Sequence, residues 1–153
     1  ITLVHGAVVG GGNGIMAASD IVLAEKDTTF AFSEVKLGIT PATISPFVIA
    51  RCGEMPARDL MLSGRKFSAQ EALDYKLVNY IGDIDEINRR LDFYIDNFLQ
   101  ASPNAIKDCK HLIRNVVGRN NPYDSIFDAT AMMIAQERMS DDAQQRMKEF
   151  LGC

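Results

Sequence analysis

The 153-residue chain lacks most of what marks a disulfide, metal or membrane protein. Its three cysteines, Cys52, Cys109 and Cys153, are odd in number and far apart, with no CxxC spacing. They read as reduced thiols, which fits a reducing compartment and excludes a disulfide framework. His5 and His111 are the only histidines. No His/Cys/Asp group has the spacing of metal ligands, so no metal is expected. No apolar run is long enough to cross a bilayer and no leader-peptide pattern is present, so no membrane partner is expected. The net charge of -4, from 16 basic and 20 acidic residues, argues against a dedicated nucleic-acid binder. Repeats, low-complexity stretches and long linkers are missing too. The chain opens at Ile1 with no initiator Met, as expected of a processed product or a proteolytic core. A cytoplasmic protein is the expectation that remains.

What is present is ordinary globular material: 47% apolar and 24% charged residues, on a chain long enough to bury one domain's core. The first part reads as α/β. Residues 1–9 are apolar and β-branched, as in one buried strand. Gly10-Gly11-Gly12 is a turn, residues 13–19 a short, tightly packed helix, and residues 21–25 and 28–32 are short strands. After Phe32 the strand signals fade and the remainder reads as helical. A loop at 41–49 leads into a helix that tolerates Pro46 only in its first turn. A helix at 56–62 is stopped by Ser63-Gly64. Ser68 and Glu71 form a capping box that opens a helix over 69–76. Ile87, Leu91, Ile95 and Phe98 give 86–99 a near-helical period, and helices over 105–117, 122–139 and 141–151 follow. The expected division is residues 1–82 as an α/β core and 83–153 as a helical region. The apolar positions of that tail (Phe127, Met132, Met133, Ile134, Met139, Met147, Phe150) suit packing within the chain or against another subunit.

Two features carry chemistry. Three glycines at a helix N-terminus leave amide N–H groups unpaired and unshielded, where the helix dipole adds partial positive charge. Such a turn can hold a phosphate or an oxyanion formed during a reaction. It can equally be a close packing turn that binds nothing. It is not a P-loop, because GxxxxGK[ST] is absent, and no GxSxG accompanies HGAVVGGG. The second feature is Glu34, in FAFSEVKLG at the end of an apolar strand. A carboxylate among Phe30, Phe32, Val35 and Leu37 is partly desolvated, which strengthens it as a general base. Taken alone, a Glu at a strand end is more often an ion-pair partner, here with Lys36.

Three motifs in order, HGAVVGGGNGIMAASDIVLA, FAFSEVKLGITP and LMLSGRKFSAQEALDYKLVNYI, resemble the crotonase, or enoyl-CoA hydratase/isomerase, superfamily over essentially the whole chain. The last is similar to that superfamily's "ltG…sAeeAl…GLV" stretch. The resemblance implies an α/β fold, a ββα superhelix of crotonase type, present in its later part only, with a C-terminal helical trimerisation region. It implies an acyl-CoA thioester substrate, no cofactor beyond the coenzyme A of that substrate, and a homotrimer or a dimer of trimers. The middle glycine, Gly11, would donate an amide hydrogen bond to the thioester carbonyl, with Gly10 and Gly12 shaping the turn. Glu34 corresponds to the catalytic carboxylate, with Ser33 where the superfamily has Pro. The first carboxylate of two-Glu hydratases falls on Gly14, a departure, and Asn13 beside it is the other group that could contact substrate or water. Pro41 belongs to the same substrate-binding set. Asp20 is expected to be structural. The second oxyanion amide and much of the adenine pocket belong to units upstream of this stretch.

Three functions follow as expectations. The first is reversible hydration of an enoyl-CoA, with a branched or carboxylated, glutaconyl-type acyl group as one branch of the resemblance. The second is an isomerase that moves the double bond with a single Glu. The third is a non-catalytic CoA-binding or oligomerisation module. Arg65-Lys66 and Lys107/Lys110 read as solvated surface charges, and His5, beside Gly6, as a turn residue.

Overall fold

A computed structural model describes residues 1–118 throughout and, beyond them, residues 139–141, 144, 145 and 148. The chain separates into two compact units, Ile1–Phe93 and Tyr94–Cys153. The helices expected over 122–139 and 141–151 fall almost wholly outside the described residues, as do the apolar side chains named there apart from Met139.

The first unit is built from ββα turns stacked on one another. Strands β1 (Thr2–Val4) and β2 (Ala7–Val9) lead into helix α1 (Gly11–Ala17), and β3 (Val22–Glu25) and β4 (Thr29–Ala31) repeat the pattern. A 3₁₀ turn (Ser33–Leu37) follows, then α2 (Ser45–Cys52) and α3 (Glu54–Ser63). Corresponding strands of successive turns pair in parallel, Leu3 beside Leu23 and Val8 beside Phe30. Two three-stranded sheets result, in the orders β1-β3-β6 and β2-β4-β5, with β5 (Lys66–Ser68) antiparallel to β4 and β6 (Tyr80–Gly82) parallel to β3. Helix α4 (Ala69–Asp74) lies in sequence between β5 and β6, and α5 (Ile84–Gln100) and α6 (Pro103–Gly118) follow.

Two expectations need correcting. Residues 1–9 are not one buried strand. Gly6 takes φ +66, a conformation that favours glycine, and breaks the run beside His5. The halves join different sheets, with Leu3 and Val9 exposed. An apolar run of this length is compatible with one strand or two, and only the glycine's conformation separates the cases. Strand structure also does not end at Phe32, since β5 and β6 follow. Each is three residues long, too short to show a period of two, and exists because a neighbouring strand pairs with it.

The core explains the central strands. Val22, Leu23 and Ala24 of β3 are fully buried, as expected for a parallel strand covered on both faces. In the other sheet Phe67 stacks on Phe30 and Phe32, with ring centroids 5.3 and 5.9 Å apart. Arg51, at the end of α2, donates to the carbonyls of Leu77 and Ser19 and to Asn79 Oδ1. Asn79 in turn bonds the main chain of Val22 in both directions, at 2.8 Å each. Burial pushes the Arg51 guanidinium below its usual range, and the Asp20 charge opposes that shift. This places Asp20 in the structural surroundings of Arg51.

The capping box at α4 forms as expected. Ser68 Oγ accepts from the Glu71 amide at 3.2 Å and Glu71 Oε2 accepts from the Ser68 amide at 3.0 Å. Arg65 bridges Asp59 of α3 and Glu71 of α4 at 2.6 and 2.8 Å. The Ser68 amide, then Arg65, hold the Glu71 carboxyl below the usual carboxylate range. Arg65 is thus committed to joining two helices and is not a free surface charge.

Candidate active site

The site lies where the first ββα turn meets the second. Helix α1 begins at Gly11, two residues earlier than the sequence pattern indicates, so Gly11 and Gly12 are first-turn residues and Gly10 is the cap. Gly10 has φ +54, which an L side chain rarely adopts. Its amide donates to the Ala31 carbonyl at 3.2 Å, and its carbonyl accepts from the Asn13 amide at 3.0 Å. The Gly11 and Gly12 amides have no acceptor in the chain among the described residues, as the geometry of a helix start requires. A Cβ at Gly11 would meet nothing within 4 Å. The side of Gly11 that a side chain would take is open.

Glu34 sits inside the 3₁₀ turn and not at a strand end, because β4 stops at Ala31. Its side chain folds back on the glycine turn: Glu34 Oε1 lies 3.5 Å from where a Cβ of Gly10 would be. A Cβ at Gly10 would be in van der Waals contact with that carboxyl. Glu34 Oε2 is buried and has no hydrogen-bond partner among the described residues. Among the described residues Glu34 makes no ion pair, and Lys36 runs instead toward Gly64, whose Cβ would sit 3.3 Å from Lys36 Cε. The ion-pair reading of Glu34 therefore falls. The apolar setting holds in part, with Phe30 and Phe32 buried and Leu37 exposed.

The other sequence-derived residues are placed as follows. Asn13 is wholly buried and turned into the sheet, its Nδ2 donating to the carbonyls of Ala31 (2.8 Å) and Val8 (3.3 Å). Gly12 lies over Val8. Gly14 is buried against Ile44, where an added Cβ would come within 2.3 Å of Ile44 Cγ2 and 2.9 Å of Ile44 Cβ. Pro41 is half-buried in the loop before α2, and its carbonyl accepts from Ser45 at 3.0 Å. The structure thus brings Glu34 to Gly10 and Asn13 to Ala31. Ile44 escaped the sequence reading, because nothing in ATIS signals that one isoleucine fills the space above a glycine thirty residues earlier.

Stacked ββα turns with a glycine turn facing a buried-edge carboxylate define an α/β protein of the crotonase fold. The structure matches that of an enoyl-CoA hydratase from Shewanella pealeana with a TM-score of 0.92 and 34% identity, over 99% of this chain and 56% of the other. It matches Pseudomonas aeruginosa AtuE with a TM-score of 0.88 and 33% identity, over 97% of this chain and 57% of the other. The chain belongs to the enoyl-CoA hydratase/isomerase family, whose sequence profile matches residues 1–152. An Alternaria alternata enoyl-CoA hydratase is 32% identical over 127 residues, 82% of this chain and 43% of the relative. A Thermus thermophilus relative is 27% identical over 150 residues, of which the chain spans 58% of the length. The chain therefore spans about half the length of the relatives it matches. Among the described residues no helix is long and apolar enough to cross a membrane.

Proposed function

We propose that the protein adds water reversibly across the double bond of an enoyl-CoA thioester, with Glu34 as the acid and base and the Gly11 amide as an oxyanion donor. The observation that carries this reading is the placement of the Glu34 carboxyl on Gly10, one residue from an amide that lacks an acceptor. Glu34 takes a proton from water as the hydroxyl adds to the β-carbon. The electron pair of the double bond moves onto the thioester oxygen, which faces the Gly11 N–H. Glu34 then returns the proton to the α-carbon. Preorganised amides at a developing oxyanion contribute a few kcal/mol to such a step. Coenzyme A enters only as part of the substrate, and a branched or carboxylated acyl group is the substrate class to offer first. The protein is proposed to act as a homotrimer or a dimer of trimers, in line with the exposed apolar side chains of its second unit.

One observation favours the isomerase as a second reading. Ile44 fills the space above Gly14, so no second carboxylate fits there to share a captured water. A single Glu34 that removes a proton from one end of an allyl system and returns it to the other needs no such partner.

The test is product mass. The full-length protein is offered short, branched and carboxylated enoyl-CoA esters, and the CoA species are weighed. A product heavier by one water supports hydration, an isobaric product with a moved double bond supports isomerisation, and no product with any ester sinks both. Glu34→Gln is expected to lower kcat about 100-fold or more; unchanged turnover would remove Glu34 from the mechanism.

A further inference from the structure

Asn13 is a buried polar group to which the proposed chemistry assigns no task. Its side chain is fully enclosed, and both carboxamide hydrogens go to main-chain carbonyls, those of Ala31 and Val8. These carbonyls lie on β4 and β2, adjacent strands paired Val8 with Phe30 and Val9 with Ala31. The Ala31 carbonyl also receives the Gly10 amide, and the Asn13 amide returns to the Gly10 carbonyl. β2 ends one residue before Gly10, and β4 ends three residues before Glu34. Glu34 closes the ring by resting on Gly10. Asn13 therefore holds together the ends of the two segments that carry the glycine turn and the carboxyl.

The side chain is costly for packing alone. Asn13 Oδ1 is buried without a partner among the described residues, and an unpaired buried acceptor is destabilising. A leucine of similar shape would carry no such cost. What leucine would lack is direction, because apolar contact permits sliding where two hydrogen bonds on two carbonyls do not.

We propose that Asn13 is a positioning residue: by clasping the Val8 and Ala31 carbonyls it fixes the Glu34 carboxyl relative to the Gly11 amide. This rests on the reading of Glu34 and Gly11 given above. It also removes Asn13 from direct contact with substrate, since both of its donors are spent inside the sheet and its Oδ1 is enclosed.

The test compares Asn13→Leu, Asn13→Asp and Glu34→Gln in the full-length protein on whichever ester turns over. Asn13→Leu should lower kcat about 10- to 100-fold with KM within a few-fold, since misplacement of a reacting group by about 1 Å costs on that order. Asn13→Asp keeps the shape and, when protonated, one donor, and should recover part of that loss near pH 6. Unchanged kcat with only a lowered thermal midpoint would overturn the proposal, as would failure of both Asn13 variants to fold, which would assign the residue to the fold alone. If Glu34→Gln keeps its turnover, the reading of the reaction fails. If Glu34→Gln is dead while Asn13→Leu is normal, only the positioning role fails.

Discussion

Gly14 shows how one missing side chain shapes the chemistry open to the site. A Cβ there would overlap Ile44 at 2.3 Å, and Ile44 Cβ and Cα, at 2.9 and 3.7 Å, give it little room to swing aside. Gly14→Ala should therefore destabilise the fold by about 1–3 kcal/mol through overpacking, and Gly14→Glu by more, because it also buries a charge. Ile44→Ala opens a cavity by itself, yet combined with Gly14→Ala it should restore much of the loss, a non-additivity read by chemical denaturation of the two single variants and the double. Simple addition of the two losses would show that Ile44 is not what excludes a side chain at position 14. Glu34 could be picked out from sequence because its apolar neighbours and its motif are local. Its contact with Gly10 could not, because the reversal of the 3₁₀ turn that creates it has no sequence signal.

At the scale of elements, capping chemistry and the strands β3 and β4 were legible, and β5 and β6 were not. Ser68 and Glu71 announce the start of α4 because the capping box is a four-residue device whose partners are both local. The end of α4 is less well built. The helix stops at Asp74 rather than Lys76, and Lys76 takes φ 65, the left-handed conformation that disfavours a side chain. In DYKLV this lysine stands where the resembling stretch of the superfamily has the glycine of GLV. Lys76→Gly should stabilise the protein by about 1 kcal/mol, visible as a higher denaturant midpoint with an unchanged slope. A lower midpoint would mean that the lysine side chain makes a contact outweighing the strain. Beside this joint, Arg65 ties α3 to α4 through Asp59 and Glu71, a use of basic charge that composition alone does not separate from a solvated surface.

For the whole molecule the open question is association. In the second unit Ile95, Phe98 and Leu99 of α5 and Ile113, Val116 and Val117 of α6 are all exposed. Fully burying a side chain of this size is worth about 1.5–3 kcal/mol, and each of these, 39–78% exposed, forgoes a part of that. The proposed homotrimer would cover such surface. Sedimentation equilibrium of the full-length protein should give three or six times the monomer mass; a monomer at micromolar concentration would reject the assembly.

By itself the sequence determined the family, the order of most helices and the capping box, and it singled out Glu34 and the glycine triplet as the candidate site. These are properties of local patterns, whose physics lies within a few residues. The tertiary structure decided the rest. It split residues 1–9 between two sheets, added β5 and β6 to strands far away in sequence, turned Asn13 inward, closed Gly14 with Ile44 and set Glu34 on Gly10. Each of these depends on where a distant segment lies, and that is fixed by packing between the stacked ββα turns and by the pairing of their strands.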